Sequence, residues 1–420
     1  NHSESQYNLG IIYSKGNLIK RNIAKAIHYF TICANLNNKE AQFNLGVIYF
    51  NINIKESIYY FQLSANNNFA YAQINLGVLY SEGIFVQKDI NKSILYFTCA
   101  ANQKIPASQF NLGVIYHTYL KDIEKSIYYY KKAADQNFYL AQYNLGCIYI
   151  SMNNIDLAIY YLTLAAKHKH SEAQYNLGCI YYLPEYNHVD INKAIYYLSQ
   201  AAEQGNYNAQ YNLGHAYFEL KLYDKAIHYY NLSVEKKDAY SQHILGCLYF
   251  NGRHVQRNIN KSIEYFEAAA NQNNQSSQIN LGILYYEGKY VQRNIIKSIK
   301  YFTFAAEYRQ KNNLNRENKY AQYFLGYIYY EGKYNDQNIE KSIHYYKQSS
   351  SLNNHFAKNN LAIMYKNGFG IQKNILYAEE LLKEAIRLDT SEILIYNLAH
   401  LYLFETENND DNSSKCIDLI

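Results

Sequence analysis

The segment A-Q-F-N-L-G-V-I-Y at Ala41–Tyr49 returns, barely changed, from one end of the 420-residue chain to the other, so the molecule is an array of one small unit. The glycine of the unit falls at Gly10, Gly46, Gly77, Gly113, Gly146, Gly178, Gly214, Gly246, Gly282 and Gly326, with Ala362 and Ala399 in the corresponding places. Intervals of 31 to 44 residues match helix-hairpin repeats and are too short for independently folded domains. Neighbouring units must therefore share a core. One elongated body over residues 1–404 is expected, followed by an acidic, polar tail, 405–420, that is disordered or truncated. The chain opens already inside the motif, as a segment cut from a longer protein would.

In the unit Glu40–Asn68, Ala41, Leu45 and Tyr49 make a helical stripe, with Val47 and Ile48 broadening it; this is helix A. Ile54, Ser57, Ile58, Phe61 and Ala65 make a second stripe, helix B. A short loop between them yields an antiparallel hairpin with one face left to cover. Glycine inside a helix costs roughly 1 kcal/mol relative to alanine. Its return at one position implies that helix B crosses helix A where no Cβ fits, with small residues such as Ser57, Ser93, Ser126 and Ala158 serving the same approach. Asn22, Asn53, Asp89, Asp122, Asn154, Asp190, Asn258, Asn294, Asn338 and Asn374 stand where helix B begins, as side chains that accept from the free amides of a first turn; Leu222 is the exception. Long units carry a glycine turn, such as Gly83 or Gly288, that supplies a positive φ for leaving helix A, with a following apolar residue to tuck beneath. The stretch Tyr308–Lys319 reads as one extended connection between units.

Hydrophobic residues make up 49% of the chain, yet runs such as Ile58–Leu63 fall far short of a membrane span, so the chain is expected to be soluble. A net charge of +5 is spread thinly, which argues against a nucleic-acid partner. Cys147, Cys179 and Cys247 follow the repeat glycine where other units carry valine or isoleucine, and read as small core residues; no cysteine pair has metal-ligand spacing. His168 with His170, or His215 with His243, lack a carboxylate or cysteine to complete a metal site, so no metal or other cofactor is expected. Phosphate loops, zinc-protease, nucleophile-elbow and kinase signatures are missing from the sequence, and the expectation is a protein that is not an enzyme.

The pattern A-Q-Y-N-L-G-x-x-Y, then a glycine turn with V-Q-x-D/N, then K-A/S-I-x-Y-Y/F-x-x-A-A, resembles the Sel-one-like repeat, a relative of the tetratricopeptide repeat, over about Ser3–Phe404. Two departures are visible: tyrosine pairs such as Tyr59-Tyr60 stand where the family often has Trp-Tyr, and short units approach tetratricopeptide spacing. The disulfide pairs of the cysteine-rich branch are lacking. The resemblance implies an all-α, right-handed superhelical solenoid of about eleven to twelve antiparallel hairpins that presents a concave face to other proteins. It also implies a scaffold or adaptor binding a protein or peptide, with the regulatory region of a larger enzyme, a kinase or an ER-associated ubiquitin ligase, as the alternative. A cytoplasmic location is expected, with the ER lumen or a membrane-associated complex as the alternative.

Two rows carry the candidate site. Asparagine precedes the Leu-Gly pair at Asn44, Asn75, Asn111, Asn144, Asn176, Asn212 and Asn280, and one residue earlier stand Tyr143, Tyr175, Tyr211, His243 and Tyr323. Amides on such a row can donate to and accept from an extended peptide, while the rings offer flat contact area. The competing reading is that each Asn satisfies a neighbouring helix and each ring packs between units. Lysines in the first turn of helix B, such as Lys92, Lys125 and Lys261, read as lying over the Tyr of an adjacent unit or, alternatively, as a phosphate-tracking row.

Overall fold

The computed structural model describes residues 2–16, 20–307, 318–332 and 337–404, and among them every regular element is helical: 23 α-helices and one 3-10 turn, Pro184–Tyr186. The expected tail 405–420 and residues 308–317 of the extended connection lie outside the described residues. The helices pair as hairpins of A and B. Hairpin 1 is His2–Lys15 with Ile23–Asn35, hairpin 2 Lys39–Tyr49 with Ile54–Asn66, hairpin 3 Ala70–Glu82 with Ile90–Asn102 and hairpin 4 Pro106–Thr118 with Ile123–Ala134. Hairpin 5 is Tyr139–Ser151 with Ile155–Lys167 and hairpin 6 Ser171–Tyr182 with Ile191–Glu203. Hairpin 7 is Tyr207–Glu219 with Tyr223–Glu235, hairpin 8 Ala239–Asn251 with Ile259–Ala270 and hairpin 9 Gln275–Glu287 with Ile295–Glu307. Hairpin 10 is Asn318–Glu331 with Ile339–Ser351, hairpin 11 His355–Asn367 with Ile375–Leu388, and a single helix, Glu392–Phe404, follows.

Backbone contacts gather the chain into two compact units, Asn1–Asn206 and Tyr207–Ile420. Within each unit every helix packs against the helices before and after it, so each is an all-α solenoid of hairpins, as expected. Among the described residues no helix is long and apolar enough to cross a membrane.

The repeat glycine makes room for a ring. A Cβ on Gly46 would lie 2.5 Å from Cδ1 of Phe61, and one on Gly113 would lie 2.5 Å from Cδ1 of Tyr130. Leu162 and Leu198 take the same place against Gly146 and Gly178. The small helix-B residue one turn earlier completes the approach: Ser57 Oγ donates to the Gly46 carbonyl at 2.7 Å, and Ser93, Ser262 and Ser342 do the same to Gly77, Gly246 and Gly326. Alanine and leucine of the motif, such as Ala41 and Leu45, are fully buried between the helices.

The glutamine of the motif ties one hairpin to the one before it. Gln42 Nε2 donates to the Ala34 carbonyl at 3.1 Å, and Gln73, Gln142 and Gln278 reach Ala65, Ala134 and Ala270 in the same way. Each receiving carbonyl belongs to the last turn of a helix B, where backbone acceptors have no partner inside the helix. Hairpin 11 carries Lys358 at this place, 5% exposed, with its ammonium 2.5 Å from Glu384 Oε2.

Helix B begins where the capping residues predict. Asn22, Asp89, Asp190, Asn258 and Asn374 accept from the backbone amide three residues on, and Leu222 makes no side-chain cap. Caps of this kind contribute about 1 kcal/mol each. Gly83, Gly252, Gly288 and Gly368 leave helix A with φ between 67° and 73°, as expected of the long units, and Val86, Val255 and Val291 pack inward behind them. Most turns from helix B back to helix A use the same backbone conformation without glycine, at Asn37, Asn68, Asn137 and Lys169 among others, with Gly205 as an exception.

The lysines behave differently from expectation. Lys92 lies 5.1 Å over the ring of Tyr80, Lys125 5.3 Å over Tyr116 and Lys261 4.3 Å over Tyr249, in each case a tyrosine of its own hairpin and not an adjacent one. An antiparallel hairpin sets the first turn of helix B beside the last turn of helix A, which is why the cation finds its own partner. The same tyrosines stack on a helix-B tyrosine, as Tyr80 does on Tyr96 at 5.9 Å and 6°.

Candidate partner-binding face

The asparagine and aromatic rows lie side by side on helix A, where they make up the A face, all half-buried. The rings of Tyr211, His243 and Tyr323 also pack against Tyr230, Phe266 and Tyr346 on helix B of their own hairpins, at 6.3, 5.8 and 6.1 Å. Successive A helices are neighbours, so each row residue meets the hairpin before or after it. Asn44 Nδ2 donates to the Tyr7 hydroxyl at 3.2 Å, and Asn144 Nδ2 to the Tyr130 hydroxyl at 3.1 Å. Asn176 and Asn280 donate to Cys147 Sγ at 3.6 Å and Cys247 Sγ at 3.9 Å. Asn212 and Tyr175 also have partners within the fold. Asn75 and Asn111, on consecutive A helices, make no hydrogen bond among the described residues.

The difference follows from what the preceding hairpin offers, which for Asn44 is the Tyr7 hydroxyl on helix A. Tyrosine at the helix-B ring position offers a hydroxyl, as Tyr130 does to Asn144 and Tyr346 to Asn360 at 3.0 Å, and cysteine after the glycine offers a sulfur. Phe61 and Phe97, with Val47 and Val78 after the glycines, offer neither to Asn75 or Asn111. Sequence reasoning missed this, although the alternation of Phe and Tyr on helix B carries the signal. Cys147, Cys179 and Cys247 are half-buried and not fully enclosed, and Cys247 packs against a buried hydrophobic cluster, so they stand at the edge of the core. The position after the glycine looks toward the next A helix, where consecutive hairpins share the margin of the core, as Val78, Val114 and Ile283 also do.

The aromatic row seals one hairpin to the next. Tyr143 sits 4.5 Å from His170, Tyr211 5.9 Å from Tyr240 and Tyr323 5.6 Å from Phe356, each partner lying at the start of the following helix A. Burial raises the Tyr143, Tyr211 and Tyr323 phenols above their usual range, so they stay protonated. His243 lies 2.9 Å from Ser277 Oγ through Nδ1 and 3.6 Å from Cys247 Sγ through Nε2. Burial pushes its pKa down to about 4, so it is neutral at neutral pH. Half of the packing reading therefore holds alongside the row: most amides have one neighbour, and a carboxamide with one donor engaged still has a second donor and an acceptor. The paired His and Cys residues gather no third ligand, and no group of metal-binding side chains occurs among the described residues.

The Sel1 repeat family model matches residues 3–38, 39–51, 52–69, 70–104, 106–138, 171–206, 239–274, 275–307, 319–354 and 355–389, and the tetratricopeptide repeat model matches 139–167 and 207–235. No curated protein sequence matches. Among solved structures the chain is similar to c5321, a protective antigen of uropathogenic Escherichia coli strains displaying an SLR fold, at a TM-score of 0.73 and 24% identity over 99% of this chain and 90% of that one. A Sel1 repeat protein from Oxalobacter formigenes matches at a TM-score of 0.35 and 22% identity, over 89% of this chain and 90% of that one.

Proposed function

Because this chain belongs to the Sel1 repeat family, we propose that it is a non-catalytic adaptor that holds a protein or peptide partner along the A face. Sel1 and tetratricopeptide repeats generally mediate protein–protein interaction, and the face proposed here has the chemistry for it. What carries the reading is the row of half-buried carboxamides flanked by neutral aromatic rings, repeated from hairpin to hairpin. Carboxamides match the donors and acceptors of a peptide backbone, and rigid rings add contact area at low entropic cost. The lysines of helix B are engaged with tyrosines of their own hairpins, which leaves the phosphate-tracking alternative without support.

Affinity capture with the whole chain tests this. A variant carrying Asn144→Ala, Asn176→Ala and Asn212→Ala is expected to lose most of the partner captured by the unchanged chain while keeping its helical circular dichroism spectrum. Equal capture by both, with the fold intact, rejects the A-face assignment.

A further inference from the structure

Between the A helices of hairpins 2 and 3 lies a cavity of about 340 Å³ on the A face, walled by Val47, Phe50, Phe61, Val78 and Phe85, with Asn75 at one side. Its counterpart between hairpins 10 and 11 measures about 130 Å³ and is built from the equivalent positions. There Tyr327 stands where Val47 does, and the Tyr346 hydroxyl takes the amide of Asn360. The same place in the repeat is thus open and unpaired in one unit and filled and paired in the other. Two substitutions account for it: valine for tyrosine after the glycine, and phenylalanine for tyrosine on helix B.

We propose that the hairpin 2–3 cavity takes one large aliphatic side chain of an extended segment of a partner protein, with Asn75 and Asn111 bonding its backbone. The proposal rests on the A-face reading and specifies its ligand. Four features select that occupant. The walls are apolar and phenyl-lined, which suits an aliphatic side chain, and at about 340 Å³ the cavity admits one together with the backbone on either side of it. The Asn75 amide is unpaired and presents donors and an acceptor to whatever enters. Packed helices lie about 8–10 Å apart and an extended chain advances about 3.3 Å per residue, so Asn75 and Asn111 on consecutive A helices meet peptide groups about three residues apart. Glu82 lines the cavity, is exposed, and makes no ion pair among the described residues, so a Lys or Arg beside the aliphatic residue completes the match.

The test is fluorescence anisotropy with labelled synthetic peptides added to the whole chain. The peptides share one polar sequence and differ at a central Leu or Ala and at a neighbouring Lys or Glu. The Leu–Lys peptide is expected to bind, and the Ala and Glu versions to bind roughly tenfold or more weakly, as expected when a buried anchor is removed. Val47→Tyr fills the cavity with the side chain that hairpin 10 already carries, and Phe61→Tyr supplies Asn75 with a hydroxyl as Tyr346 does for Asn360. Both variants should weaken the Leu–Lys peptide to the level of the Ala peptide while melting near the parent. Equal binding of Leu and Ala peptides, or undiminished binding by both variants, overturns the proposal. So does a self-associated chain in sedimentation that Val47→Tyr makes monomeric, or occupancy by a peptide of residues 405–420 in preference to the Leu–Lys peptide. If the triple Asn144, Asn176 and Asn212 variant loses Leu–Lys binding while Val47→Tyr keeps it, this cavity is excluded and the A-face reading survives; if neither variant changes it, both fail.

Discussion

Gly46→Ala is expected to destabilise the first unit by about 1–3 kcal/mol, the usual cost of overpacking, even though alanine is the better helix former by roughly 1 kcal/mol. The added Cβ would stand 2.5 Å from Cδ1 and 2.6 Å from Cε1 of Phe61, a ring only 2% exposed and itself packed 5.7 Å from Phe43. The ring cannot swing away without leaving its seam, so the two helices must part. A double-mutant cycle separates this from any general effect of the substitution. Phe61→Ala alone leaves a cavity and is costly, but in that background the obstacle is gone and Gly46→Ala should be neutral or stabilising by up to about 1 kcal/mol. Urea titrations of the four proteins measure it. A Gly46→Ala penalty of the same size in both backgrounds would mean that the glycine is there for another reason.

Acidification should weaken the second unit through His243. Its pKa is depressed from 6.5 to about 4 by burial, so between those values the unfolded chain takes up a proton that the folded chain refuses. Stability is therefore flat above about pH 6.5 and falls as pH drops toward about 4, by up to roughly 3 kcal/mol at 1.36 kcal/mol per pKa unit. Burial lowers His170 and His215 in the same direction, partly opposed by the Glu172 and Glu219 carboxylates. Phe43 and Phe110 occupy the place of His243 in hairpins 2 and 4, which makes His243→Phe a substitution the fold already accommodates. Unfolding midpoints between pH 7 and pH 5 should slope less in His243→Phe than in the parent. Identical slopes would show that the imidazole is not held neutral.

The features readable from the sequence are those that depend on one hairpin alone. Caps such as Asn374 act on amides two or three residues away, the glycine turns need only a positive φ, and the close approach at Gly46 is signalled by its return in register with Ser57. Features that depend on which neighbour a residue meets stayed hidden. Gln42 reads as an ordinary polar residue until Ala34 of the preceding hairpin is set beside it. Cys147 reads as core because valine and isoleucine share its place, yet its sulfur faces Asn176 of the next helix A. The candidate row was legible as a row but not as a set of unequal members: only the residue beneath each amide tells Asn144, tied to Tyr130, from Asn75, tied to nothing described.

The assignment of the A face is tested most directly by site-specific photo-crosslinking from the two sides of one unit. A photoreactive side chain is placed at Val114, half-buried on helix A of hairpin 4, and in a second protein at Tyr160, 57% exposed on helix B of hairpin 5. Partner held on the A face gives a crosslinked product from position 114 and little from position 160. Crosslinking from position 160 with none from position 114 would put the partner on the helix-B side and contradict the assignment.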